Sequence, residues 1–199
     1  MNYLAHAYLS FNEPEILVGN MISDFVKGKK QFDYSAGIQK GITLHRFIDE
    51  FTDDHPSTKD AKEVFRSDYR LYAGAFTDVV YDHFLAIDAN EFTDTLLLSF
   101  TQTTYHQLTN YTSVFPERFQ KMFPYMQQQN WLYNYRFRWG IERSFGGVVR
   151  RSAYLTESSK AFELFEIHYD FLNECYKKFF PAVKQHAREK LNQLMTETN

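Results

Sequence analysis

Apolar residues recur at helical spacing along this chain, and this pattern restricts the fold more than any other feature. Two segments carry apolar side chains three or four residues apart: Leu44, Phe47, Ile48 and Phe51, then Phe76, Val79, Val80 and Phe84. Period-2 alternation is scarce, and no Asn-Gly or Asp-Gly hairpin turn occurs. Because strands need that alternation and helices need the longer period, the sequence predicts an all-α fold.

The length of 199 residues fits one domain, and no repeat, low-complexity tract or linker divides it. We therefore expect a single helical domain over residues 1–199. Between Trp131 and Trp139 aromatic and polar residues alternate, which also suits a short strand, but we assign that stretch to a helix. The predicted helices cover residues 2–10, 14–27, 35–52, 57–71, 74–87, 92–107, 115–127, 132–151, 159–179 and 182–196.

Composition excludes several classes of protein. Apolar residues make up 44% and aromatic residues 18% of the chain, which is enough for a substantial core. The net charge of −3 does not favour nucleic acid as a partner. The single cysteine, Cys175, excludes an internal disulfide and a cysteine-based zinc site. No stretch approaches the roughly 18 continuous apolar residues of a membrane span, and the first residues lack a signal-peptide pattern. We expect a cytoplasmic protein without a membrane partner; the oligomeric state is not indicated.

Histidines and aspartates are concentrated at Asp24, at His45 and in the run from Asp78 to His83. Imidazole and carboxylate groups are the ligands that hold a divalent cation for hydrolysis. Asp78 and Asp82 are four residues apart and would share a helix face. Asp82 and His83 lie among apolar residues, where an unpaired carboxylate is costly and a cation would relieve the cost. These residues are therefore candidate metal ligands.

Each of these residue types also has a structural interpretation. Asp49 and Asp53, which follow His45 at intervals of four residues, could pair with Arg46 on a solvated face. Asp78 could cap a helix, and His6 could be a core histidine bonded to a backbone carbonyl. Spacing alone leaves a metal site and a set of structural ion pairs equally open.

Basic residues form three groups. Arg66 and Arg70 are four residues apart and could clamp a phosphate, or could pair with nearby carboxylates. The segment 131–151 contains five arginines and one glutamate, and Lys27, Lys29 and Lys30 form a smaller patch. Either patch could attract an acidic partner or simply be solvated.

Several separated blocks follow one another in a recognisable order: Met1 to His6, Gly19 to Gly28, Gly41 to Asp53, Phe65-Arg66 with Arg70, and Asp78 to Leu85. Together they resemble the acyl carrier protein (ACP) phosphodiesterases, also called holo-ACP hydrolases. That family is all-helical and is regarded as a divergent relative of the HD-type metal phosphohydrolases. The resemblance therefore implies an HD-phosphohydrolase-like helical bundle.

The implied reaction is hydrolysis of the phosphodiester between an ACP serine and 4′-phosphopantetheine, which converts holo-ACP to apo-ACP. The implied cofactor is a divalent metal, Mn²⁺ first, with Mg²⁺ or Fe²⁺ as alternatives. The resemblance assigns metal ligation to Asp24, His45, Asp78, Asp82, His83 and His6, and catalysis to Asp24, His45, Asp82 and His83. Contacts to phosphate or to the acidic carrier are expected from Arg46, Arg66, Arg70, Lys27, Arg138 and Arg143.

Two alternatives remain at the level of sequence. The chain could be an HD-like phosphohydrolase that acts on a nucleotide or another small phosphodiester. It could also be a non-catalytic helical module that binds an acidic protein and keeps its histidines and aspartates for structure.

Overall fold

A computed structural model describes residues 1–196, and within this range the chain contains α-helices, short 3₁₀ turns and no β-strand. The all-α prediction is confirmed. Residues 197–199, which the predicted single domain includes, lie outside the described residues. The helices are α1 Tyr3–Tyr8, α2 Pro14–Ile22, α3 Ala36–Asp54, α4 Pro56–Tyr69, α5 Ala73–Ile87, α6 Asp94–Thr109, α7 Glu117–Gln128, α8 Trp131–Asn134, α9 Arg138–Arg151, α10 Ser159–Ile167 and α11 Tyr169–Thr196.

Local sequence explains where several helices begin. Pro14 and Pro56 occupy the first turns of α2 and α4, where a missing N–H costs nothing. The Ser35 side chain accepts a hydrogen bond from the N–H of Ile38 and caps α3. His55, between α3 and α4, caps α4 by accepting the N–H of Ser57 through Nδ1 at 3.2 Å.

Helices α2 and α3 approach each other more closely than side chains would allow. A Cβ atom at Gly19 would lie 2.1 Å from the carbonyl oxygen of Ile38, and one at Gly41 would lie 2.4 Å from that of Ile16. Glycine is therefore required at both positions. This contact sets the distance between Asn20 on α2 and the residues one turn after Gly41 on α3.

Most of helix α5 is buried. Its residues from Phe76 to Ala86 are buried except Asp78, which is partly exposed. It packs against α1, α4, α9 and α11. The apolar surroundings that the sequence gives to Asp82 and His83 are thus those of a central helix.

Several predicted helices have different boundaries in the structure. The predicted helix 132–151 is broken between Asn134 and Arg138, and α9 then continues through Gly146 and Gly147. The predicted break near Pro181 is absent, because α11 runs through this proline while Phe179, Phe180 and Val183 remain buried. The break lies instead at His168. No helix within the described residues is both long and apolar enough to cross a bilayer.

Candidate metal centre

His6 of α1 and His45 and Asp49 of α3 form a compact cluster. One potential ligand atom from each residue lies within 4.8 Å of the others, and the histidines are buried while Asp49 is partly exposed. His45 and Asp49 are one turn apart on α3, so their side chains project from the same face. The cluster is therefore closed on the protein side and open toward solvent at the carboxylate.

Asn20 holds both imidazole rings. Its side-chain Oδ1 lies 2.8 Å from Nδ1 of His6, and its backbone oxygen lies 2.7 Å from Nδ1 of His45. The amide orientation is set by Nδ2, which donates to the carbonyl oxygen of His6 at 2.9 Å and to Oγ of Ser10 at 3.0 Å. Since both oxygens can only accept, each histidine carries its proton on Nδ1, and in the neutral ring Nε2 presents a lone pair.

Both Nε2 atoms face carboxylate oxygens. Nε2 of His6 lies 3.2 Å from Oδ1 of Asp49, and Nε2 of His45 lies 3.0 Å from Oδ2 of Asp49 and 3.3 Å from Oδ1 of Asp24. The two rings stack with their centroids 3.9 Å apart. Four acceptor groups thus converge without an intervening donor unless an imidazole becomes protonated.

Protonation of the imidazoles can supply hydrogen-bond donors to only part of this cluster. Burial alone lowers the pKa of His45, but hydrogen bonds to Asp24 and Asp49 raise it to about 9. Burial and then the adjacent His45 ring lower the pKa of His6 to about 4. His6 is therefore neutral, and its buried Nε2 has no hydrogen-bond partner among the residues that the structure describes. A divalent cation accepts lone pairs from imidazole nitrogens and carboxylates together, so the donor set fits a cation better than it fits protons.

Positive charge is already present at the edge of the cluster. The ammonium group of Met1 is buried and lies 3.4 Å from Oδ1 of Asp49 and 3.1 Å from Oδ1 of Asp78. Burial would raise the pKa of Asp49, but this ammonium group and the two imidazoles hold it below its ordinary value. The carboxylate of Asp49 is therefore charged and available as a ligand.

Known proteins resemble this chain along nearly its whole length. A family model described as "Acyl carrier protein phosphodiesterase" matches residues 1–183. The chain belongs to the acyl carrier protein phosphodiesterase family. It is 32% identical over 191 residues to the protein of that name from Photorhabdus laumondii, which covers 96% of both chains. It is 34% identical to those from Yersinia enterocolitica and Klebsiella pneumoniae, over 96% of this chain and 99% of each relative.

The family name denotes a phosphoric diester hydrolase, and this chain is a member of that enzyme family. No solved structure matches the chain. The HD-phosphohydrolase-like character of the bundle therefore stays a prediction, whereas its all-helical character is confirmed.

Among the candidate ligands, the structure of this phosphodiesterase family member brings together His6, His45 and Asp24 and adds Asp49. The structure places Asp82 differently: its carboxylate accepts the N–H groups of Leu4 at 2.7 Å and Ala5 at 3.1 Å and so caps α1. Burial raises the pKa of Asp82 to about 7, while these N–H groups favour its charged form.

The sequence suggests metal ligation or helix capping as the role of Asp78. Asp78 does not cap a helix; it lies within α5 and binds the Met1 ammonium group. Burial raises its pKa, and the ammonium group opposes this shift. Asp78 and Asp82 together fix the first residues of the chain, and hence the helix that carries His6.

His83 is directed away from the cluster. Its Nδ1 lies 2.7 Å from the carbonyl oxygen of Tyr135, and its Nε2 lies 3.0 Å from the hydroxyl of Tyr169. Both ring nitrogens therefore have protein partners outside the cluster. The expected convergence of Asp24, His45 and His83 is not observed, because adjacent residues on a helix point about 100° apart and only Asp82 faces α1.

The predicted basic contacts are dispersed. Arg46 donates to Oε1 of Gln31 at 2.6 Å and to the carbonyl oxygen of Val26 at 3.3 Å, close to the segment that carries Asp24. Arg66 pairs with Glu63 at 2.8 Å. Arg70 does not share a helix face with Arg66, because α4 ends at Tyr69 and Arg70 has a φ of 45°.

The remaining predicted contacts lie on or near the surface. Lys27 is exposed just after Asp24. Arg138 pairs with Glu166 and lies over the ring of Tyr169, 4.3 Å from its centroid. Arg143 is exposed and lines a cavity beside α9.

Two residues of the cluster were not among the sequence-predicted site residues. Asp49 had a visible signal, since it follows His45 by four residues, but pairing with Arg46 was an equally good interpretation. Asn20 had no signal in spacing, because its role depends on the close approach of α2 and α3. Asp49 in fact contacts the histidines, and Asp53 pairs with Lys62 at 2.6 Å.

Proposed function

We propose that this protein hydrolyses the phosphodiester that links 4′-phosphopantetheine to the serine of an ACP, and that it does so with a divalent cation. The relatives that share 32–34% of its sequence carry the name acyl carrier protein phosphodiesterase. The observation that carries the proposal is the pair of Nε2 atoms that converge on charged carboxylates, with both Nδ1 protons held by Asn20.

His6, His45 and Asp49 would hold the cation, with Asp24 at the open side. Two imidazoles and one or two carboxylates suit Mn²⁺, which we propose first, and also Mg²⁺ or Fe²⁺. When bound, such a cation supplies a water acidified toward neutral pH and positive charge for the phosphoryl oxygens.

The protein's own groups have separable tasks in this proposal. Asn20 accepts from Nδ1 of both imidazoles and so keeps Nε2 of each ring directed at the proposed cation position. Asp24, whose pKa is lowered first by its hydrogen bond to His45, is a charged and exposed carboxylate that can accept a proton from water. Arg46 lies near Val26 and can contact the phosphate of an incoming diester.

The acidic carrier would approach the same edge of the molecule. Lys27, Lys29 and Lys30 are exposed and follow Asp24 in the chain by three to six residues. Arg143 adds positive charge on α9, while Arg138 is already paired with Glu166. We therefore propose the lysine patch, defined as Lys27, Lys29 and Lys30, as the main carrier contact.

Mass spectrometry of holo-ACP tests the proposal directly. Protein stripped of metal with EDTA and resupplied with Mn²⁺ is expected to convert holo-ACP to apo-ACP with loss of the 4′-phosphopantetheine mass. His45→Ala and Asp49→Asn are expected to lose at least about 100-fold in rate. His106→Ala and Asp53→Asn are matched controls, because His106 is exposed and Asp53 contacts only Lys62 among the residues described.

The same assay distinguishes the alternatives. Faster turnover of cyclic nucleotides or other small diesters than of holo-ACP would indicate a small-molecule phosphohydrolase. Absence of bound metal and of any turnover would indicate a non-catalytic binding module. Full activity in His45→Ala would contradict the proposed centre.

A further inference from the structure

A cavity of about 270 Å³ lies where α1, α7, α8 and α9 meet. Its volume is just below the range of roughly 300–1,000 Å³ that small-molecule sites occupy. No aspartate or glutamate among residues 1–196 lines it. Its lining combines aromatic rings with amide side chains: Tyr3, Trp131, Tyr135 and Trp139 with Asn2, Gln129 and Asn134.

Three arginines of α9 give this cavity its charge. Arg150 and Arg151 follow Arg143 by seven and eight residues, which is about two helical turns. All three therefore lie on one side of the helix. None of the three has a carboxylate partner within residues 1–196, whereas the nearby Arg136 and Arg138 pair with Asp94 and Glu166. The cavity therefore presents uncompensated positive charge, which favours an anionic ligand.

Glycine shapes the arginine side of the cavity. A Cβ atom at Gly147 would lie 3.3 Å from Nη1 of Arg151 and 3.7 Å from Nη2 of Arg150. Because Gly147 has no side chain, both guanidinium groups lie close to the helix backbone beside the cavity. Two planar guanidinium groups that both lie this close to the Cβ position of Gly147 can bind the oxygens of one phosphate.

The cavity adjoins the candidate metal centre. The ammonium group of Met1 contacts Asp49 at 3.4 Å, and the next two residues, Asn2 and Tyr3, line the cavity. Consecutive Cα atoms are about 3.8 Å apart, so the cavity lining begins one residue after Met1, whose ammonium group contacts the cluster. Burial raises the pKa of Tyr3, with Arg151 opposing the shift and Asp24 adding to it, as expected for a ring between the two sites.

We propose that this cavity binds the 4′-phosphopantetheine arm of the substrate, an inference that rests on the proposed function. The arm is a chain of amides and branched hydrocarbon with a phosphate at one end. The amide side chains and aromatic rings of the cavity match the chain, and Arg150 and Arg151 match the phosphate. Bound in this way, the arm directs its phosphate toward the metal centre.

Intrinsic fluorescence tests binding of the free arm, because the only two tryptophans of the chain, Trp131 and Trp139, both line the cavity. Metal-free protein is titrated with 4′-phosphopantetheine, pantetheine and inorganic phosphate. A saturable change is expected with 4′-phosphopantetheine, at least tenfold weaker binding of pantetheine, and no comparable change with phosphate alone. The double variant Arg150→Gln/Arg151→Gln is expected to weaken 4′-phosphopantetheine binding at least tenfold. Arg118→Gln, an exposed arginine of α7 outside the cavity, is the matched control.

Turnover separates this inference from the proposed function. If wild type converts holo-ACP to apo-ACP but the double variant keeps the wild-type KM and binds 4′-phosphopantetheine equally well, the arm does not bind here. Equal loss of apo-ACP and holo-ACP binding in the double variant would show that the arginines contact the carrier protein, which also overturns the inference. If wild type does not convert holo-ACP at all, the proposed function fails, whatever the fluorescence shows.

Discussion

Asn20 controls the chemistry of the histidine pair although it does not itself face the proposed cation position. Its two oxygens accept from Nδ1 of both rings, and its Nδ2 bonds to the His6 carbonyl oxygen and to Ser10. Groups that orient histidine ligands in this way commonly change metal affinity by about 10–100-fold when they are removed.

We predict that Asn20→Ser weakens Mn²⁺ binding by about 10–100-fold, because the His6 ring loses its acceptor and can rotate or change tautomer. Competition with a chelator measures this affinity. Ser10→Ala is the comparison variant: Ser10 accepts from Nδ2 of Asn20 and donates to the His6 carbonyl oxygen but contacts neither ring, so a smaller loss of Mn²⁺ affinity is expected. An Asn20→Ser protein that binds Mn²⁺ as well as the Ser10→Ala protein would show that the rings do not need this amide.

His83 makes stability depend on pH. It is buried, and burial lowers its pKa to about 4 from the ordinary 6.5. As pH falls below 6.5, the unfolded chain binds a proton that the folded protein does not accept, so the free energy of unfolding decreases. For these pKa values the contribution lost between pH 7 and pH 5 is about 2 kcal/mol.

We therefore predict that His83→Gln loses less stability than wild type between pH 7 and pH 5, by about 2 kcal/mol. Denaturant unfolding in EDTA at both pH values measures the difference. His106→Gln, which changes an exposed histidine, is expected to keep the wild-type pH dependence. Equal losses in His83→Gln and wild type would mean that His83 is not the group responsible.

At the scale of elements, the cluster depends on how three helices are held together. Helix α1 brings His6, α2 brings Asn20, and α3 brings His45 and Asp49. The N-cap residue of α1, Asn2, makes no side-chain cap, and Asp82 of α5 accepts the N–H groups instead. A short helix of six residues is thereby anchored to the central helix.

The glycine contact between α2 and α3 gives a prediction at this scale. Gly41→Ala would place a Cβ atom 2.4 Å from a backbone oxygen and force the helices apart, so we expect a loss of about 3 kcal/mol in the free energy of unfolding. Weaker Mn²⁺ binding should accompany it, because His45 lies one turn beyond Gly41.

Gly74→Ala is the control for this change. Its Cβ atom would meet only the Lys62 side chain, at 3.5 Å, so the free energy of unfolding should not decrease. Thermal or denaturant unfolding compares the two variants. If Gly41→Ala is as stable as wild type, the close contact between α2 and α3 is not as tight as described.

The helical pattern was predictable because it depends on local periodicity, whereas the boundaries at Pro181 and around residues 135–137 depend on packing. Phe179, Phe180 and Val183 stay buried only if α11 continues, and this burial outweighs the lost N–H of the proline. The same distinction between local pattern and tertiary contact applies to the residues of the cluster. His45 was identifiable by its type and position, but Asn20 acts through tertiary contacts that spacing does not encode.

On the scale of the whole molecule, charge is unevenly distributed around a net value of −3. The exposed lysine patch begins three residues after Asp24, and the three arginines of α9 line the cavity together with Tyr3. An acidic carrier would therefore be attracted toward the edge of the molecule where the cluster is open to solvent.

We predict that Lys27→Glu/Lys29→Glu raises KM for holo-ACP roughly tenfold at low ionic strength, because the reversal removes long-range attraction and adds repulsion. The effect should shrink near physiological salt, where the Debye length is about 8 Å. Turnover of a small chromogenic phosphodiester, which needs only the metal centre, should stay at the wild-type rate. Lys177→Glu/Lys178→Glu on α11 changes the net charge equally, since it also reverses two exposed lysines. If both double variants raise KM to the same extent, net charge rather than the lysine patch attracts the carrier, and the proposed docking edge is wrong.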